Sequence, residues 1–339
     1  MYVIYTAFLG IRVFWSRAGS EGTDMEEIIK MIREADSVVI LPHINADGDA
    51  IGSCAAMAEL LGALEKKTVI YTEEKPEERL SFISENVRVY DGSEEEYDTC
   101  IALDCGDRER LGERAVFAEK ADRVINIDHH KTNTMFGDAN YVDASASATG
   151  EIIAELYERM GMEPDKRAAM YLYTAICSDT GCFAYSNTTP KTMRTAAKLM
   201  EKGIDHAEAA RLLFDSEPLE IELLKAELTG RIRSYFGGRL RIVTVTEAMA
   251  EKYGLDMDDV SDVVNIPRRI CGTEIAASVK ESGGKIRVSL RSNGSADVAA
   301  VAQKFGGGGH TKAAGCTVKA ESVAEAEEMV VKECGEILS

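Results

Sequence analysis

Basic charge is scarce in this 339-residue chain: 39 Lys and Arg stand against 58 Asp and Glu, for a net charge of -19. Affinity for long duplex nucleic acid comes from Lys and Arg displacing counterions. A nonspecific grip on long DNA is therefore disfavoured, whereas a small anionic substrate needs only a local positive charge. CxxC pairs are absent; the eight cysteines lie dispersed at 54, 100, 105, 177, 182, 271, 316 and 334. That pattern argues against a disulfide framework or a zinc ribbon and predicts reduced, buried thiols in a cytoplasmic protein. Long apolar runs are missing too, since no stretch approaches the ~18 consecutive apolar residues of a membrane span. MYVIYTAFLGIRVFW at 1–15 is interrupted by Arg12, has no basic cluster before it and shows no small-residue cleavage site. Residues 1–24, which hold the only tryptophan, Trp15, are expected to be a poorly ordered extension ahead of a natural start at Met25. A signal-like or interfacial segment is the alternative.

What remains is 45% hydrophobic and 29% charged, enough apolar material for a large core. At roughly 100–200 residues per domain, two or three domains are expected. SVVIL (37–41), TVIY (68–71), TCIAL (99–103) and RVINI (123–127) are short runs of strand type, and residues 50–66, 149–160 and 166–177 have helical spacing. Continuous apolar strands alternating with helices predict a parallel sheet buried on both faces, with a ligand crevice beyond the carboxyl ends of the strands. Residues 190–233 look helical throughout. Strands then return at 238–245, 273–281 and 284–291, followed by a helix at 296–305, a strand at 315–320 and a last helix at 322–337. The class is α/β, with a second, smaller α/β domain after a helical connector. Charge divides unevenly: residues 1–232 carry a net -18, residues 233–339 a net -1, and within the latter 268–319 carries +6. That basic stretch is either an ordinary solvated strand face or a phosphate-binding surface.

Only five histidines occur, at 43, 129, 130, 206 and 310, and four of them sit beside carboxylates or glycines where strand-like runs end. In LPHINADGDAIG, His43, Asp47 and Asp49 follow one such run and precede a helix. Oxygen and imidazole donors together suit Mn²⁺, Mg²⁺ or Zn²⁺, while capping of the helix is the competing use of the same carboxylates. In ALDCGD, Asp104 ends a strand on the same sheet edge, with Asp107 three residues on as either a second acid or a cap. In NIDHHKTN, Asp128, His129 and His130 end a third strand. One imidazole can bind a metal while its neighbour faces substrate, and Asp128 can orient a ring. In ICSDTGCFAYSNTTP, Asp179 ends a helix, where its charge opposes the dipole unless a cation relieves it. His206 is expected to cap or to lie on the surface, and the cysteines flanking these motifs to fill space. Tyr185 either lines the site or packs.

These motifs, in this order over residues 25–339, resemble the DHH phosphoesterase family, whose naming motif is Asp128-His129-His130 here. The resemblance implies a parallel-sheet DHH domain over 25–205, a connector over 206–233, a DHH-associated substrate domain over 234–339, and an active site in the interdomain cleft. It also implies two divalent cations, Mn²⁺ first, with Mg²⁺ or Co²⁺ as alternatives. His43, Asp47 and Asp104 would hold one, and Asp49, Asp104, His129 and Asp179 the other, with His130, Asp128 and Asp104 at the reaction centre. In the small domain, Gly306 to Gly309 and His310 resemble the family's GGGH element. It is read as a loop whose N–H groups approach an anion, with Arg291 able to pair with phosphate. Ser289, Ser292, Gly307, Gly308, Gly309 and His310 complete the implied substrate site, and Asn293 is a further polar neighbour. That element argues against family II pyrophosphatases, and the compact length argues against longer RecJ-type exonucleases. The implied activity is hydrolysis of RNA of two to five nucleotides and removal of the 3′-phosphate from adenosine 3′,5′-bisphosphate. Hydrolysis of cyclic di-AMP or pApA is the runner-up, and a catalytically inactive nucleotide-binding regulator is the alternative of another class. The expected partners are short RNA or a small nucleotide, with neither long duplex DNA nor a membrane; a homodimer is left open.

Overall fold

A computed structural model describes residues 22–338 apart from 94, 258 and 261. The expected extension therefore lies outside the described residues except for its last three. Of these, Thr23 donates its N–H to the Asn140 carbonyl at 2.6 Å and accepts the Asn140 N–H at its hydroxyl at 2.8 Å. The chain divides into two compact units at Ser216 and Glu217.

In the first unit, α1 (Met25–Glu34), β1 (Ser37–Leu41), α2 (Gly48–Ala63), β2 (Lys67–Thr72), β3 (Val87–Val89) and β4 (Thr99–Leu103) are followed by α3 (Ala115–Lys120) and β5 (Arg123–Asp128). Then come β6 (Ala139–Val142), α4 (Thr149–Arg159), α5 (Lys166–Asp179), α6 (Pro190–Met200) and α7 (His206–Phe214). The six strands are parallel in the order β3-β2-β1-β4-β5-β6. β1, β4 and β5 are apolar along their length because both sheet faces are covered. Val38, Ile40, Ile101, Leu103, Ile125 and Ile127 face one helical layer. Val39, Leu41, Cys100, Ala102 and Val124 face the other side, against Phe117 and Leu111.

The strand order reverses between β1 and β4, which is the switch point where open parallel sheets bind ligands. Pairing of Leu41 with Ala102 and of Leu103 with Ile127 brings three residues at or just beyond the carboxyl ends of these strands into one row: His43, Asp104 and Asp128. Helix α2 is buried on every side from Gly48 to Met57, as expected of a helix without a polar face. Small residues let it touch α5 closely. A Cβ on Gly52 would lie 2.6 Å from the Tyr171 carbonyl oxygen, and one on Gly48 would lie 2.5 Å from Ser178 Oγ. This contact sets the start of α2, which carries Asp49, beside the end of α5, which carries Asp179.

The second unit contains α8 (Leu219–Gly230), β7 (Arg233–Tyr235), β8 (Leu240–Val245), α9 (Glu247–Glu251), α10 (Asn265–Arg268), β9 (Ile275–Ser282) and β10 (Lys285–Ser292). It ends with α11 (Val298–Lys304), β11 (Gly308–His310), β12 (Ala313–Val318) and α12 (Val323–Leu338). Its sheet runs β11-β12-β10-β9-β8-β7, with only β8 and β9 parallel among the pairs. One face packs on α11 and α12 through Ile242, Ala277, Val288 and Leu290. On the other, Val243 and Val245 meet Leu224 and Leu228 of α8. The stretch 190–230 holds three successive helices, as its sequence indicates, but Arg233 already begins β7, and the division between the units falls between α7 and α8. The thiols are not all buried: Cys182 and Cys271 are exposed, each in a turn rather than in an element that packs on the core. Among the described residues no helix is long and apolar enough to cross a membrane.

Gly52→Val should destabilise the fold by ~1–3 kcal/mol, because the added side chain has no room against the Tyr171 carbonyl. The measurement is the urea midpoint at unchanged m. A midpoint equal to that of the unaltered chain would show that α2 and α5 separate freely.

Candidate metal centre

The segment after β1 is tied down before it presents any ligand. Arg114, with no exposed surface, donates from Nη1 to the carbonyls of Pro42 at 3.0 Å and Tyr71 at 2.9 Å, and from Nε to Glu73 at 3.2 Å. Ile44 N–H bonds to the Arg110 carbonyl at 2.8 Å. His43 donates Nδ1–H to the Ile44 carbonyl at 2.7 Å, which leaves Nε2 with its lone pair turned inward. Nε2 lies 3.6 Å from Asp104 Oδ2 and 4.0 Å from Asp47 Oδ2. Asp47 caps α2 with one oxygen, Oδ1, which accepts from the N–H groups of Asp49 and Ala50 at 3.0 and 3.1 Å, and leaves the other, Oδ2, turned toward His43.

Asp104 follows β4 in a left-handed conformation, φ 55°, which Asp tolerates better than most side chains. Its N–H stays on the ladder, donating to the Ile127 carbonyl at 3.1 Å. The carboxylate has three histidines around it: His43, His129 Nε2 at 3.5 Å and His130 Nδ1 at 3.6 Å. His129 Nε2 also lies 3.7 Å from Asp179 Oδ2 and 3.9 Å from Asp49 Oδ2. The rings of the two adjacent histidines share Asp104 but otherwise differ in their neighbours. His130 bonds through Nδ1 to Asp128 Oδ1 at 2.7 Å and is more than a third exposed. Asp128 is fully buried and also accepts from His129 N–H and, at 2.6 Å, from Asn133 Nδ2. It is placed to orient His130. Asp107 caps the short helical turn after it, accepting from Arg110 N–H.

Three sets of side chains bring one ligand atom each to within 4.8 Å of one another: His43, Asp47 and Asp104; Asp49, His129 and Asp179; and Asp104, His129 and His130. The nitrogens within ion-pairing distance of Asp47, Asp49, Asp104 and Asp179 are all histidine nitrogens among the described residues. The crowding shows in the protonation. Burial, then the carboxylates of Asp104, Asp179 and Asp47, holds the Asp49 carboxyl well above its usual range. Burial also pushes Asp179 up to about 7, against the pull of His129. Burial opposes the charge on Asp104 too, but the three imidazoles outweigh it and keep that carboxyl below its ordinary value. His43 and His129 are held above the usual imidazole value because their carboxylate neighbours exceed the opposing effect of burial. His130 is raised chiefly by its bond to Asp128.

Residues 146–151 supply further contacts, within the Ser/Thr-rich turn of Ser145, Ser147 and Thr149 whose role the sequence leaves open. Thr149 Oγ1 donates to Asp104 at 2.9 Å. The N–H groups of Thr149 and Gly150, which open α4, donate to Asp49 at 2.7 and 2.9 Å. Ala148 at the N-cap offers no side-chain bond, so Asp49 caps α4 from another helix. Asn187 Nδ2 bonds to the Ser147 carbonyl at 2.9 Å and to the Asp179 carbonyl at 3.1 Å. The polar run Ser145-Ala146-Ser147-Ala148-Thr149 before an apolar helix was the available signal. Tyr185 is exposed and its ring covers Gly181, while His206 opens α7 next to its cap Asp205.

In the second unit, Arg291 pairs with Ala313, which pairs with His310, so these three occupy one row on one sheet face. Ser289, Gly315 and Gly308 form the next row but one. Arg287, opposite Lys280, lies on the same face and was not singled out from the sequence. Two expectations are corrected. Ser292 sits on the opposite parity of β10, is 5% exposed and bonds to the Gly294 carbonyl at 3.3 Å. The glycine run is also not wholly a loop, because Gly308 and Gly309 enter strand β11 with His310. The cause is close packing: a Cβ on Gly307 would meet the Gly315 carbonyl oxygen at 2.2 Å and one on Gly309 the Ala313 carbonyl oxygen at 2.5 Å.

Residues 37–176 match the DHH family, N-terminal domain, and residues 241–336 match the DHHA1 domain. The chain is 32% identical over 315 residues to the bifunctional oligoribonuclease and PAP phosphatase NrnA of Thermus thermophilus, covering 92% of this chain and 93% of that one. It is 31% identical over 311 residues to a probable bifunctional oligoribonuclease and PAP phosphatase NrnA of Streptococcus mutans, covering 91% and 97%. A solved exopolyphosphatase-related protein from Bacteroides fragilis superposes with a TM-score of 0.86 at 25% identity, covering 93% and 97%. The sheet topology, the histidine–carboxylate row and these matches agree: the chain belongs to the DHH family, as a DHH domain followed by a DHHA1 domain.

Proposed function

We propose that this chain is a phosphoester hydrolase that uses two divalent cations to cleave RNA a few nucleotides long and to remove the 3′-phosphate from adenosine 3′,5′-bisphosphate. The observation that carries the reading is the pair of adjoining ligand sets at the sheet's switch point. The donors suit the group: carboxylates and imidazole nitrogens together favour Mn²⁺, with Mg²⁺ and Co²⁺ as alternatives. His43, Asp47 and Asp104 would hold one cation and Asp49, His129 and Asp179 the other, with Asp104 reaching both. When bound, the cations lower the pKa of water and neutralise charge on the phosphoryl group.

The side chains do the rest. Asp128 fixes the His130 ring by accepting its Nδ1–H, so that the imidazolium form, protonated at Nε2 as well, would present an N–H to a phosphoryl oxygen. The raised pKa of His130 keeps more of it cationic near neutral pH, where its charge counts most. No side chain need bond to phosphorus. In the second unit, taken by itself, Arg291, Ser289 and His310 would form a phosphate-binding face, to which Arg287 adds positive charge. Short substrates fit the net charge of -19, which opposes long polyanions. The eight free cysteines fit a cytoplasmic setting.

Asp104→Ala should abolish Mn²⁺-dependent turnover of pApA and short RNA. Arg291→Ala should raise KM ~10–100-fold with kcat largely kept, as loss of a charged hydrogen bond to substrate requires. A substrate panel of short RNA, pApA, cyclic di-AMP, adenosine 3′,5′-bisphosphate and pyrophosphate measures both. Normal turnover by Asp104→Ala would overturn the ligand set, and equal rates on cyclic and linear dinucleotides would overturn the substrate order.

Cation binding requires Asp49 and Asp179 ionised and His43 and His129 neutral. All four hold their protons to higher pH than usual. Mn²⁺ should therefore release protons on binding, and its affinity should fall as pH drops through about 7, where Asp179 titrates. Calorimetry at about pH 6 and about pH 8, in buffers of different ionisation enthalpy, reads both effects. Equal affinity at the two pH values would contradict the assignment.

A further inference from the structure

Glu151 is a buried carboxylate, 1% exposed, in the first turn of α4, and it contacts none of the candidate ligands. Its Oε2 accepts three bonds: Ser147 Oγ at 2.6 Å, Ser147 N–H at 3.2 Å and Thr192 Oγ1 at 2.9 Å. Oε1 has no hydrogen-bond partner, with Lys191 Nζ 4.0 Å from it. Keeping a carboxylate in such a place is costly unless its bonds hold something that matters.

What they hold is the short segment 146–150, and that segment touches three of the candidate ligands and reaches a fourth, Asp179, through Asn187. The Ala146 carbonyl accepts from His129 Nδ1 at 3.4 Å, which directs Nε2 toward the carboxylates. The Ser147 carbonyl holds Asn187, which reaches Asp179 through its carbonyl and, at 3.4 Å, its Oδ2. Thr149 Oγ1 reaches Asp104, and the N–H groups of Thr149 and Gly150 reach Asp49. Both bonds from Ser147 to Glu151 fix the middle of this run.

We propose that Glu151 is a positioning residue for the metal centre: by fixing Ser147 it sets the orientation of His129, Asp179, Asp104 and Asp49 together. The proposal rests on the metal-binding reading above. Groups that orient metal ligands from behind typically change metal affinity ~10–100-fold when removed, and here one side chain acts on four ligands at once.

The test is Mn²⁺ affinity, measured with the metal alone by calorimetry and by electron paramagnetic resonance, on the full chain. Glu151→Leu should weaken Mn²⁺ binding at least ~10-fold. Glu151→Gln should restore it, because an amide oxygen can accept the same three bonds while its NH₂ occupies the unpartnered side. A merely space-filling role would give equal affinity in the two variants, since Leu fills the space as well as Gln does. Should Glu151→Leu fail to fold, Ser147→Ala decides, with an expected loss of about fivefold for one missing hydrogen bond. Wild-type affinity in a folded Glu151→Leu chain overturns the proposal, as does wild-type affinity in Ser147→Ala if the Leu variant does not fold. Failure of the unaltered chain to bind Mn²⁺ overturns the metal reading as well.

Discussion

Asp47, Asp49, Asp104 and Asp179 bring like charge into a space a few ångströms wide, and three of them are largely shielded from water. Carboxylates so arranged cannot all ionise unless positive charge joins them. The protein supplies part of that charge as imidazole, and the protonation pattern records the shortfall. Asp104, ringed by histidines, gives up its proton more readily than usual, while Asp49 and Asp179 hold theirs to higher pH than usual. The fold's task is to hold this unfavourable cluster together. It does so with a helix, α2, that is buried from Gly48 to Met57 and pressed against α5 by glycine contacts, and with a guanidinium, Arg114, clamping the ends of two strands.

The architecture follows from where apolar residues run without interruption. β1, β4 and β5 are buried on both faces, so SVVIL, TCIAL and RVINI read directly as strands, and their carboxyl ends marked the site. β3, β6, β7 and β11 were not legible. They have three or four residues each and are half-exposed, so they carry no continuous apolar signal. Their pairing comes from tertiary context, which overrides local preference.

The residues proposed to hold metal were legible because they sit in compact motifs at strand ends. Their supports were not, because Glu151, Thr149, Asn187 and Asn133 meet the ligands across distances of up to a hundred residues in the chain. In the second unit the two-residue period of a strand was available and went unused. Ser289 and Arg291 share a parity that Ser292 does not, and this alone separates a surface residue from one turned to the core.

The uneven charge of the chain has a consequence for size selection. Residues 1–232 carry a net -18, while the basic excess is confined to a short stretch beyond them. On the function proposed above, cations held by the first unit would neutralise only so many phosphates of a ligand. Every additional phosphate enters a repulsive field that reaches roughly 8 Å at physiological ionic strength. Discrimination by length made in this way is a screening effect, so it relaxes as salt is added, whereas exclusion by solid walls does not.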